Sequence, residues 1–363
     1  MKKHKICKIL LVILAIFLCV AFYELLGICV AYKKQPEVSN TTKKETKNGS
    51  WNECSENTER AVIIEKNPEA LLQRVRLIKN AKKEIILSTF AFQSDESGKL
   101  ILGALHDAAD RGVHIRLLVD GMESWIDMEG NPYFYGLSSH ENVEIKLYNK
   151  ANPLKPWKMM GRMHDKYLIA DGKTYILGGR NTYNYFLGDF LGHKNYDRDV
   201  LVVCDEPEKE NSVNQLSEYF ETIWNQEDSG YFHDNKKLAN RKSVKNAVLE
   251  LQNGYQKYFE ENKERICDTD YTDETFETEK IALVSNPIHT GPKEPVVWYQ
   301  LGELMKNAKE RVKIHTPYII CNDMMSNTWK EIAERVPDFS IMTNSVANNG
   351  NPFGSADYAR NRN

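Results

Sequence analysis

The sequence predicts an α/β fold, a mixed β-sheet flanked by helices, behind an N-terminal transmembrane helix. Three observations carry this. From residue 61 onward short apolar runs alternate with amphipathic segments, and strands alternating with helices pack as a sheet with helices on its faces. The same order of elements returns near residue 307, which predicts a duplicated sheet. An apolar run from Ile9 to Tyr32, broken only by Glu24, stands apart from both.

Residues 1–34 read as the membrane anchor. The apolar run exceeds the ~20 residues that cross a bilayer as a helix. A signal peptide has a shorter apolar core and an A-x-A-like site, and no such site follows here, so the anchor is expected to stay uncleaved. Lysines flank it on both sides (Lys2, Lys3, Lys5 and Lys8 before, Lys33, Lys34, Lys43, Lys44 and Lys47 after). Charge bias therefore gives little orientation, and an extracytoplasmic domain is the working expectation. Residues 35–59 are polar and aperiodic, the pattern of a juxtamembrane linker.

Residues 60–266 hold the first half of the sheet. Strands are expected over Ala61–Glu65, Glu84–Phe92, residues 113–121 and Asn142–Asn149. Helices are expected over Pro68–Ala81 and residues 98–112, the latter stopping at Gly112. An acidic connector, "CDTDYTDETFETE" (267–279), leads into a second half over 280–363. There "NAKERVKIHTPYI" at Asn307 repeats "NAKKEIILSTFAF" at Asn80, followed by a helix (Asn327–Val336) and a strand (Phe339–Ser345).

Composition bounds the chemistry. With 41% hydrophobic and 27% charged residues, the 363-residue chain can bury a globular core. A net charge of -3 provides no global basic field and weighs against nucleic acid as a partner, although a local basic groove remains compatible with it. Seven cysteines without CxxC spacing suggest neither a zinc site nor a disulfide framework; one bridge or buried free thiols would fit.

The segment "RMHDKYLIADGKTYILGGRN" (162–181) carries the chemistry. Metal-free phosphodiester transfer needs a nucleophile for phosphorus and cations for the non-bridging oxygens, and imidazole and lysine supply them. On an extended chain His164 and Lys166 project to one face and Asp165 to the other. Asp171-Gly172 reads as a turn, Gly178-Gly179 allow close backbone approach, and Asn181 can donate a hydrogen bond to a phosphate oxygen.

This segment resembles the phospholipase D superfamily, whose signature H-x-K-x4-D-x6-G-G-x-N it matches in full. The similarity continues through "GGRNTYNYF", "YDRDVLVV" and "YFETIWN", and through "ALVSNPIHTGPKEP", "HTPYII" and "TNS". It looks most like the cardiolipin synthase branch. The resemblance implies a phospholipase D-like fold, duplicated, its second half incomplete, and no cofactor or metal. It implies catalytic His164, Lys166 and Asp171: His164 as the nucleophile that forms a phosphohistidine, Asp171 orienting and holding the motif. Lys166, Asn181 and Gly179 would bind phosphate. Asp197 matches an acidic position that orients a catalytic histidine, with Asp199 as the competing candidate.

Other residues carry blander readings. Lys155, Lys158 and Arg162 could attract anionic headgroups or form a solvated basic loop. Tyr183–Phe186 with Phe190 read as core packing before a substrate entrance, and His106, His114 and His315 as structural.

Two-half family members carry two such motifs, one histidine attacking while the other protonates the leaving oxygen. Only one is present here, and the repeat would put its counterpart at roughly position 391, past Asn363. The final "SADYARNRN" resembles a family segment upstream of that motif through Tyr358 and Arg362, with Ser355 where a histidine is common. Three readings follow: truncation within the second half, which is favoured; a homodimer in which each chain supplies His164; or a non-catalytic lipid-binding remnant. The expected function is a membrane-anchored phosphatidyltransferase acting on an anionic, phosphatidylglycerol-like phospholipid. A homodimeric phosphodiesterase or nuclease is the alternative.

Overall fold

The computed structural model describes residues 2–49, 59–206, 211–233 and 235–348. Cys54, Ser355, Tyr358 and Arg362 lie outside the described residues. The chain divides into two units, one within Met1–Lys34, Cys54–Leu283 and Ile288–Pro292, the other within Gln35–Glu53, Val284–Pro287 and Lys293–Asn363.

The first unit begins with α1 (Lys2–Ala31), whose Lys5–Ala31 stretch is long and apolar enough to cross a membrane. Helix α2 (Asn40–Asn48) belongs to the second unit. The first unit resumes with β1 (Glu59–Ile64), α3 (Asn67–Asn80), β2 (Glu84–Thr89), α4 (Glu96–Asp110) and β3 (His114–Asp120). It continues through α5 (Glu123–Asp127), α6 (Pro132–Ser138), β4 (Val143–Tyr148), β5 (Tyr167–Ala170), β6 (Thr174–Gly178), β7 (Asp199–Cys204) and α7 (Ser212–Trp224). Then follow β8 (Ser229–Tyr231), α8 (Lys242–Glu261), α9 (Lys263–Cys267) and β9 (Phe276–Glu277).

Among the described residues, these strands form one sheet in the order β8-β4-β3-β2-β5-β6-β7-β1-β9. β2, β3 and β4 run parallel, while β5, β6, β7 and β1 are successively antiparallel. Period-2 alternation sends Ile85, Leu87, Leu117 and Leu168 to a core shared with α3, α4, α6 and α8. The intervening Ile86, Leu118, Tyr167 and Ile169 meet α7 through Leu216, Phe220 and Ile223. The sheet is mixed and covered by helices on both faces, as the sequence predicts.

The sheet is cross-tied by a buried ion cluster. The Asp199 carboxylate on β7 lies 2.9 Å from Arg74 on α3 and 3.2 Å from Arg180 after β6, with the Asp199 and Arg180 side chains fully enclosed. Arg180 also donates to the carbonyls of Ile64 and Glu65 and to Asn67 Oδ1.

Three differences from the sequence reading have local causes. The polar stretch after α1 contains α2, because Ser39 accepts from Thr42 N at its start and Gly49 closes it in the left-handed conformation. The acidic connector is not a free linker. Arg76 on α3 clamps it through Asp268 and Glu274, and β9 adds to the sheet edge against β1. The strand expected to reach Phe92 ends at Thr89, because residues 91–93 turn to bond Thr182 instead.

In the second unit, α10 (Val296–Lys306), β10 (Arg311–His315), α11 (Asp323–Arg335) and β11 (Asp338–Met342) repeat the helix–strand–helix–strand order of α3 to β3. β10 and β11 pair in parallel as β2 and β3 do.

Removing one partner of a buried ion cluster leaves uncompensated charge. Asp199→Asn is expected to destabilise the protein by about 3–5 kcal/mol, read as a lowered midpoint in thermal or urea unfolding of the detergent-solubilised chain.

Candidate active site

The mixed sheet brings His164, Lys166 and the Gly-Gly-x-Asn segment to one end. The carboxyl ends of β2 and β3, the start of β5, the end of β6 and the start of β7 all meet there. Residues 164–166 lead into β5 as extended chain. Asp165 faces α7, where it accepts from the Tyr219 hydroxyl at 2.7 Å. His164 and Lys166 lie on the other side.

Phe90, just past β2, organises them. Its ring centroid is 4.6 Å from that of His164, with Lys166 Nζ 5.2 Å and the Arg162 guanidinium 5.5 Å from its centre. The His164 ring is accessible to solvent, yet the protein crowded around it, and secondarily Lys166, push its pKa from the usual 6.5 down to about 4. At neutral pH it is therefore an uncharged imidazole with a free lone pair. Burial lowers Lys166 to about 8, partly opposed by Asp165, Asp197 and Asp120, so it stays cationic. Its Nζ donates to the His164 carbonyl at 2.7 Å.

The Gly-Gly-x-Asn segment completes the cleft. A Cβ on Gly178 would overlap the Asp199 carboxylate, and one on Gly179 the Asp197 carboxylate; the close approach of β7 requires glycine at both. Asn181 is buried, and its carbonyl oxygen accepts from Ala91 N at 3.3 Å. Asn184 ties the following turn to the start of α4, accepting from Ser97 N while its own N–H donates to Asp95.

The remaining candidates separate by position. Asp197 lies against Gly179 and within electrostatic reach of Lys166. Asp199 is committed to Arg74 and Arg180. Asp171 sits at the far end of β5, where its carboxylate accepts from the backbone N–H of Lys82, Lys83 and Glu84. It has φ 54°, and with Gly172 at φ 63° it makes the tight β5–β6 turn. Arg162 and Lys158 are ion-paired, with Asp120 and Asp228 respectively, while Lys155 is exposed. Tyr183 and Phe186 pack edge-on against each other at 5.2 Å, whereas Phe190 is exposed. His106 pairs with Asp110, and His114 with Glu84 and Glu144. No cluster of three or more potential metal ligands occurs among the described residues.

Two residues escaped the sequence reading. Phe90 looks like ordinary strand sequence. Asp120 closes β3 fully buried, and its carboxylate accepts from Arg162 Nε and Met163 N, each at 3.0 Å, and from Met122 N at 3.0 Å. It thus holds the chain immediately before His164. A carboxylate ending an apolar strand ("HIRLLVDG") was the available signal.

A family model described as "Cardiolipin synthase, PLD-like domain" matches residues 74–224. An uncharacterized protein of Helicobacter pylori (strain ATCC 700392 / 26695) is 27% identical over 79% of this chain and 59% of its own length. Cardiolipin synthase 1 of Staphylococcus aureus (strain MRSA252) is 26% identical over 74% of this chain and 47% of its own. The chain thus spans about half the length of these curated relatives. In fold alone it is similar to phosphatidylserine synthase of Haemophilus influenzae Rd KW20, at TM-score 0.56 and 15% identity over 85% of this chain and 67% of that one. These similarities support a cardiolipin synthase-like member of the phospholipase D superfamily, with residues 74–224 as its matching domain.

The electrostatics make a direct prediction. Imidazole NMR of the full chain should show His164 neutral at pH 6 and protonating only near pH 4. Lys166→Met removes a neighbouring positive charge, so the midpoint should rise.

Proposed function

We propose that the chain provides a phosphohistidine half-site of a membrane-anchored phosphatidyltransferase of cardiolipin synthase type. The observation that carries this reading is the placement of His164 and the buried Lys166 together against Phe90, at the end of the sheet where the Gly-Gly-x-Asn segment lies. Similarity to cardiolipin synthases and the apolar α1 support it further.

In the first step the His164 lone pair attacks phosphorus of a phosphatidylglycerol-like lipid. A P–N bond forms, the P–O bond to glycerol breaks, and the leaving oxygen takes a proton from a general acid. The family pattern assigns that acid to a second histidine in an equivalent half-site, which a second copy of this chain could bring. In the second step the hydroxyl of another phosphatidylglycerol attacks, its proton passes to the same group, and the P–N bond breaks to restore His164. Lys166 and the Asn181 amide, with the backbone at Gly179, meet the charge on the non-bridging oxygens throughout. Asp120 and Asp171 are positioning residues, the first for the chain entering the motif and the second for the strand leaving it. Asp197 steadies Lys166.

His164→Ala in vesicles containing phosphatidylglycerol should lower cardiolipin formation by on the order of a thousand-fold or more and remove an acid-labile phosphoryl-enzyme. Undiminished turnover would overturn the assignment; phosphatidic acid as product would make water the acceptor.

The pH profile follows from the same pair. Protonation of His164 below about 4 removes the nucleophile, and deprotonation of Lys166 above about 8 removes the cation. A plot of kcat/KM should therefore rise through the first value and fall through the second.

A further inference from the structure

The segment between β4 and the motif, "NKANPLKPWKMMGRM" (149–163), contains no acidic residue. It exposes Leu154, Trp157 and Met160, with Leu154 78% accessible. Beside it stands α5, whose Trp125 and Ile126 are 66% and 76% accessible. The two are neighbours: a Cβ on Gly121, just before α5, would meet the Lys150 backbone at 2.7 Å, and Met122 borders one small cleft with Lys150, Lys155 and Lys158. Five large apolar side chains facing water beside three lysines are unusual for a surface that stays in solution.

The same segment packs on the last turns of α1. The Tyr23 hydroxyl donates to the Leu154 carbonyl at 3.0 Å, and Gly27 lies so close to Pro156 that a Cβ there would fall 2.5 Å from its ring. Tyr23 and Gly27 lie near the end of the Lys5–Ala31 span, just before exposed Lys33 and Lys34. That is the depth at which a spanning helix leaves the hydrocarbon for the headgroups.

We infer that residues 150–160 and the exposed side of α5 form a face that seats in an anionic lipid surface, with the apolar side chains among the upper acyl chains and the lysines at the headgroups. The chemistry is that of an interfacial anchor: tryptophan and aliphatic side chains exposed together beside exposed Lys150 and Lys155, with Lys158 paired to Asp228, next to an apolar span. The face rests on the membrane-anchored part of the proposed function, not on the reaction. It would hold the mouth of the His164 cleft at the lipid surface, since Arg162 and His164 directly continue this segment.

The full chain, reconstituted in phosphatidylcholine vesicles with and without phosphatidylglycerol, tests this by photo-crosslinking. A benzophenone amino acid replaces Leu154, Ile126, Leu18 within α1, or exposed Lys257 on α8. Lipid adducts are expected at Leu154, Ile126 and Leu18 but not at Lys257, with the Leu154 adduct several-fold stronger when phosphatidylglycerol is present. Lipid adducts at Leu18 alone would overturn the face while leaving the anchor intact. No lipid adduct at any position, a protein adduct at Leu154, or an equal lipid yield at Lys257 would also overturn it. Because crosslinking needs no turnover, loss of the enzymatic reading through the His164→Ala assay would be a separate result.

Discussion

The constraint on which the site depends is the enclosed contact between Asp199 and Arg180. Arg180 stands between Gly179 and Asn181, so fixing its guanidinium fixes the backbone of the Gly-Gly-x-Asn segment. Because that guanidinium reaches Asp199, Ile64, Glu65 and Asn67 together, the segment after β6 is held by β7, by the end of β1 and by the start of α3. A buried charge of this kind is a poor source of net stability, but it penalises every arrangement that leaves it unpaired. The penalty selects one placement of the Gly-Gly-x-Asn turn.

Lys166 is exposed to a related tension. Burial favours its loss of a proton, and the surrounding carboxylates of Asp165, Asp197 and Asp120 oppose that loss. Each of those carboxylates has a different attachment: Asp165 to Tyr219, Asp197 against Gly179, Asp120 to Arg162 and the chain before His164. Negative charge is thus kept near enough to hold the lysine cationic. His164 meanwhile receives the opposite treatment, with crowding and a neighbouring cation keeping it uncharged. One cleft maintains two bases in opposite protonation states.

Much of this was legible in the sequence because it rests on local pattern. Alternation gave the strands, the Asn-Ala-Lys repeat gave the second helix–strand cycle, and the spacing of His164, Lys166, Asp171 and Asn181 pointed to their shared strand and hairpin. What was not legible depended on distant partners. Asp199 and Asp197 are two residues apart and chemically alike, and only the positions of Arg74 and Arg180 distinguish the one in the core from the one at the cleft. Phe90 became a site residue because β2 lies beside β5, a pairing that periodicity does not reveal. The acidic connector reads as a solvated tether until Arg76, buried on α3, is seen to clamp it.

The tight β5–β6 turn has a consequence of a different kind. Asp171 fastens that turn to the amides of Lys82, Lys83 and Glu84, at the end of the sheet opposite His164. The motif therefore crosses to the opposite rim at Asp171 and returns to the His164 end by Gly178, and its last acidic residue braces the scaffold from behind. Lengthening the hairpin by a single residue would cut that brace and reverse which side of β6 faces which core, even though no residue near His164 had been touched.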